Sequence, residues 1–215
     1  MTFLELCQMV RRESRIGVTG PGTVAGQIGP LGDIVSATAN AWLEIQNLHD
    51  TWLFMQNQTS STLTIGQDTY YPNELNALND SMSRLVRMYV ADKEIKVIDW
   101  DSLITLQRKN PGISGVPMYV SVSPLTNQIV FYPKPEEALA IEMSYQTNPQ
   151  PLVLDQDTPN ILSAYHPMIA WKAVSDITAN ESDFVIYQKA FEKYDNYLSK
   201  AQVNYLPRIT YPRFC

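Results

Sequence analysis

The sequence is short of the side chains on which most chemistry depends. It has 215 residues, two cysteines and two histidines, and only 18% of it is charged, below the roughly 25% of an ordinary globular protein. Cys7 and Cys215 lie near opposite ends. That spacing excludes a disulfide framework and a cysteine metal site, and it fits a protein made in a reducing cytoplasm. Cys7 reads as a small core residue on a helix. No apolar run approaches the ~20 residues of a membrane span, so none is expected, and the amphipathic N-terminus carries no evident signal-peptide pattern. There is no internal repeat. GxSxG, HExxH and CxxC are all absent.

The residues that could still carry chemistry read more simply as structure. His49, in "LHDTW", is expected on a long helix, where its neighbour Asp50 points elsewhere, so a His–Asp relay is not formed. His166 precedes Pro167 at a helix start and is expected to cap it or lie on the surface. "DQD" (155–157) lacks the glycine and distal glutamate of a calcium loop and reads as a solvated turn. Glu44, Asp50, Asp99 and Asp101 are acids beside aromatics, but nothing marks them above helix caps and surface charges. The loop "GVTGPGTVAGQIGP" (17–30) is rich in glycine, yet it has neither GK[ST] nor GxGxxG and no preceding strand, which argues against phosphate binding. No cofactor and no metal are expected.

What the chain has is an acidic body with basic ends. Its net charge is −6, with +1 in residues 1–30, +2 in the last residues and −9 between. A body this acidic does not grip phosphate backbones, which takes stripes of Lys and Arg. A surface poor in charge is often one that partners cover.

Helical signals mark both ends. Thr2 and Glu5 form a capping-box pattern before Phe3, Leu6, Cys7 and Val10 at i, i+3, i+4 and i+7. Over 31–57, Ile34, Thr38, Ala41, Ile45, Leu48, Trp52 and Met55 alternate spacings of four and three, predicting one long helix with Trp42, Leu43, Leu53 and Phe54 off the seam. A helix is expected over about 164–179, opened by Pro167. A last one, capped by Ser182, runs to Pro207 with Phe184, Tyr187, Phe191, Tyr194, Leu198, Ala201 and Tyr205 as an aromatic core seam.

Between them lie short β runs: 61–65, 84–90, 95–98, 118–122, 128–132 and 139–145, the last with Leu139, Ile141, Met143 and Tyr145 on one face. "DWDSLITLQRK" (99–109) reads as a short helix capped by Asp99. The expected fold class is α+β: a helical bundle formed by N- and C-terminal helices with an inserted small antiparallel β unit. The expected division is 1–58 and 150–206 for the bundle, 59–149 for the β-rich insertion with one short helix, and 207–215 for an extended tail.

The tail, "PRITYPRFC", carries no acid. Two prolines preset its backbone, Ile209, Tyr211 and Phe214 can fill apolar pockets, and Arg208 and Arg213 can meet carboxylates. It reads as a docking peptide for a partner.

In order, "FLELCQMVRRESRI" with its glycine-rich loop, "NAWLEIQNLHDTWLFM" (40–55), "VIDWDSL" (97–103), "GVPMYVSV" (115–122), "FYPKPEEALAIEMSYQTNPQPL" (131–152) and "DTPNILSAYHPMIAWKAV" (157–174) cover most of the chain. Together they resemble the head–tail adaptor (connector) proteins of tailed bacteriophages. The resemblance implies a structural virion protein rather than an enzyme: a homo-oligomeric ring, commonly of twelve copies, beneath the portal protein. Such a ring extends the DNA channel without sequence-specific DNA binding and offers a platform for tail (nozzle or tube) proteins. It implies a place at the head–tail junction of the virion, host cytoplasm during assembly, and no membrane. A C-terminal segment that embraces the portal is also implied, so Arg208, Ile209, Tyr211, Arg213 and Phe214 are candidate contacts to the portal or to a neighbouring subunit. The alternatives are a virion-associated cell-wall hydrolase, or another neck component such as a tail terminator or stopper.

Overall fold

The structure, a computed structural model, describes residues 1–16, 19–77, 82–179 and 184–207. Two units share the chain: residues 1–54 with 149–215, and residues 55–148.

Four helices build the first unit: α1 (Phe3–Ser14), α2 (Pro30–Asn47), α4 (His166–Thr178) and α5 (Phe184–Tyr205). The capping box of α1 forms, with Thr2 Oγ1 accepting from Glu5 N and Glu5 Oε2 accepting from Thr2 N. α4 is the hub, packed against α1, α2 and α5. Its residues Met168, Ile169, Ala170, Ala173 and Val174 are buried among Phe3, Leu6, Val10, Ile34 and Ile45. Two ion pairs cross between helices: Lys172 Nζ lies 2.7 Å from Glu44 and Lys189 Nζ 3.0 Å from Glu13.

The long helix expected over 31–57 stops at Asn47. Leu48 is exposed, and His49 lies in the turn beyond the helix. The chain then doubles back so that the buried Trp52 indole donates to Ile45 O at 2.9 Å. That carbonyl lies in the last turn of α2, where it also accepts from Leu48 N at 3.4 Å, so the indole ties the returning chain to the helix end. Trp52 is thus buried for a reason other than helical spacing, and the apolar positions past 47 only imitate a seam.

The aromatic seam of α5 is also corrected. The face that packs on α4 uses Ile186, Ala190 and Ala201, with Tyr194, Tyr197, Leu198 and Tyr205 beside it. Small alanines let the two helices approach closely. Phe184 and Phe191 point outward, 69% and 51% exposed. The expected cap at Ser182 lies outside the described residues.

The second unit is larger than a small antiparallel insertion. It is a seven-stranded mixed sheet in the order β1-β7-β3-β4-β5-β6-β2. The strands are β1 (Gln56–Leu63), β2 (Thr69–Tyr70), β3 (Met82–Val90), β4 (Lys93–Val97), β5 (Tyr119–Val122), β6 (Ile129–Tyr132) and β7 (Leu139–Thr147). β4 is shared between two ladders. Val90↔Lys93 and Met88↔Ile95 pair it antiparallel to β3, whereas Lys96↔Tyr119 and Val97↔Val120 pair it parallel to β5. A parallel pair needs a crossover, and α3 (Trp100–Lys109) supplies it, with Asp99 capping by accepting from Ser102 N at 3.0 Å. Leu103 of α3 packs on Val130 and Tyr132. Leu139, Ile141, Met143 and Tyr145 of β7 form one buried face with Leu63, Leu85, Met88 and Phe131. β1, "QNQTSSTL", begins earlier than the expected 61–65, because an edge strand with one buried side chain carries little apolar signal.

Candidate assembly surfaces

The base of the tail is held by an aromatic cluster in the first unit. Tyr205, on the last turn of α5, meets Phe54 edge-on (centroids 5.5 Å apart, 89°) and Tyr165 (5.6 Å, 76°). Phe54 continues the cluster to Trp42 at 5.8 Å and Trp52 at 5.2 Å, and His49 sits edge-on to Trp52 at 4.9 Å. Polar links flank the rings: Gln202 Nε2 lies 3.0 Å from His49 Nε2, and Asn204 Nδ2 donates to Tyr165 Oη. Pro207 follows one residue after Leu206, whose N–H still donates to Gln202 O at 3.0 Å. The helix therefore delivers the chain beyond Pro207 from a fixed point. Arg208, Ile209, Tyr211, Arg213 and Phe214 lie outside the described residues, so the structure does not place them.

A second construction ties the N-terminal segments together. The "DQD" turn is not free in solvent. The Asp155 carboxylate accepts from Val24 N at 2.6 Å and from Thr23 Oγ1 at 3.1 Å, pinning the glycine-rich loop. Asp157 accepts from Val153 N and Leu154 N at 2.6 and 2.7 Å, and these bonds hold its carboxyl below the usual range. Asp155 O and Asp157 O accept from Leu4 N and Phe3 N, which are otherwise unpaired donors in the first turn of α1. The glycine-rich loop is thus a structural connection.

His166 is buried, not on the surface. Its Nδ1 lies 2.8 Å from the N-terminal amine and its Nε2 2.9 Å from Ile161 O. An ammonium only donates and a carbonyl only accepts, so the ring is neutral with its proton on Nε2. Burial pushes its pKa down; the bond to Ile161 opposes this and the N-terminal charge adds to it.

The acids weighed for catalysis have structural partners where partners are found. Glu44 pairs with Lys172, and Asp99 caps α3. Burial lowers the Lys172 pKa, but the carboxylates of Asp176 and Glu44 outweigh it and hold the ammonium raised. Among the described residues no group of three or more His, Cys, Asp or Glu is placed to hold a metal ion. No described helix is long and apolar enough to cross a membrane.

Among the described residues, two areas with exposed apolar side chains are ones that sequence reasoning missed. On α5, Phe184, Tyr187 and Phe191 form a row, with ring centroids 6.4 and 6.2 Å apart. In the sheet unit, Val116 and Met118, 44% and 60% exposed, border a cleft of about 400 Å³ that Lys93, Glu94 and Lys96 of β4 also line. Contiguous exposed apolar surface of this kind marks interaction sites. The signal available in the sequence was the presence of two apolar lines on α5, only one of which a single neighbour can cover.

No curated protein matches the chain. The family model described as SU10 adaptor protein matches residues 1–210, and the chain belongs to that family of phage head–tail adaptors.

Proposed function

We propose that the protein assembles as a ring, commonly of twelve copies, beneath the portal vertex of a tailed phage, extending the DNA channel and offering the platform on which tail proteins attach. Family membership carries this reading: an adaptor of this kind is a structural component rather than a catalyst and connects parts of the virion. Two properties of the chain support it. The chain is poor in charge and displays exposed apolar side chains on both units, as a subunit needs when it closes heterologously on two neighbours. Its body is acidic, and like charge along a lumen limits adhesion of DNA in transit.

In this reading the three parts divide the work. The helical unit and the sheet unit supply ring and platform, and residues 207–215 act as the docking peptide through Arg208, Ile209, Tyr211, Arg213 and Phe214. The test is deletion of 207–215. The truncated protein is expected to keep its helical circular dichroism and lose attachment to purified portal. Full attachment after the deletion contradicts the docking role.

A further inference from the structure

We propose that the aromatic row on α5 is the docking surface for residues 208–214 of a second copy of this chain. The inference rests on the ring reading and names the partner of the tail within it.

The row is a built feature of the helix. Phe184, Tyr187 and Phe191 follow each other by three and four, which sets them on one line, while Ile186 and Ala190 turn toward α4. Tyr187 and Phe191 stack at 24°, and Phe184 is tilted by 35° to Tyr187. Exposed rings of this size cost free energy in water and gain it on contact.

Charge on α5 is sorted about that line. Asp195 continues the row four residues after Phe191, and Gln188 lies four after Phe184, with Glu192 beside it. The lysines fall elsewhere: Lys189, Lys193 and Lys200 share a separate line, and Lys189 is occupied by Glu13 and the Trp171 ring. The row therefore offers aromatic faces and carboxylates without a cation. Its complement is a ligand with apolar side chains, guanidinium groups and no acid. Residues 208–214 have that composition: Arg208, Ile209, Tyr211, Arg213 and Phe214. Arginine stacks on aromatic faces and pairs with carboxylates.

Reach decides which copy supplies the tail. At about 1.5 Å per residue, Tyr187 lies roughly 30 Å before Pro207 along the helix. From Pro207, even fully extended chain carries Phe214 only about 24 Å. At full stretch a tail brings only its last residues level with its own Phe191 and cannot lie along Tyr187 and Phe184, so the occupant of the whole row belongs to another subunit. Each copy then gives a tail and receives one, a heterologous contact that closes into a ring.

The experiment uses the full chain carrying Val185→Cys, a position 75% exposed beside the row, with native Cys215 as the second thiol and Cys7 buried. The protein is assembled on purified portal, imaged for rings, oxidised mildly and run without reductant. The expected result is a ladder of covalent multimers, at least about tenfold above the same variant carrying Cys215→Ser. Gln188→Cys, on the line of the row, should give the same ladder, and Lys193→Cys, on the separate lysine line, should not. Rings that form without a ladder at either row position overturn this proposal and leave the ring reading standing. Absence of rings removes both.

Discussion

The carboxylate of Asp155 accepts the backbone N–H of Val24 at 2.6 Å. One side chain thereby joins the loop after α1 to the linker before α4, segments 131 residues apart. A hydrogen bond to a charged group contributes about 1.5–3 kcal/mol when buried and less when half-exposed. Asp155→Ala is expected to destabilise the protein by about 1–2 kcal/mol, read as a lower urea midpoint with an unchanged slope. An unchanged midpoint would show that the loop is held by other contacts.

His166 sets an acid limit on stability. Its pKa is lowered from 6.5 in the folded chain, chiefly by burial. The unfolded state therefore binds more protons below the ordinary value, and stability falls with pH there. The contribution is fully present above about pH 6.5 and declines as the pH falls toward the folded value. Urea midpoints at pH 7.5 and 5.5 should differ by more in the wild type than in His166→Gln. Equal differences in the two proteins would contradict this.

Gly32, in the first turn of α2, tests close approach against helix propensity. A Cβ there would meet Gln27 O at 2.9 Å and Gln27 C at 3.3 Å. At an open helical site Gly→Ala stabilises by about 1 kcal/mol. Here the contact is backbone, and overpacking typically costs about 1–3 kcal/mol. Gly32→Ala should lower the melting temperature; a rise would mean that the loop before α2 yields freely.

Cys7 should be chemically silent. Burial, the largest influence, raises its thiol to about 11, so almost no thiolate exists at pH 8. In a Cys215→Ser background, Ellman's reagent should titrate no thiol until denaturant is added. Rapid native labelling would place Cys7 in contact with solvent.

These contacts also mark what the sequence makes legible. The capping box of Thr2 and Glu5, the cap at Asp99 and the alternation through Leu139, Ile141, Met143 and Tyr145 are local signals, and each holds in the structure. The length of α2 was not legible, because Leu48, Trp52 and Met55 continue its period while the chain has already turned back on Ile45. The sheet was underestimated because β1 is polar and β2 has two residues. The outward row on α5 differs from the expected core seam, since spacing gives a line of side chains but not the neighbour that covers it. The tail's composition was plain from the start, and its partner is the matter that assembly must answer.

Ring formation on a portal is the property on which the proposed function stands or falls. Purified protein mixed with the cognate portal and imaged by electron microscopy tests it most directly. Closed rings of one stoichiometry, seated on a single end of the portal, are the expected result. Protein that remains unattached, or that binds without closing into rings, contradicts it.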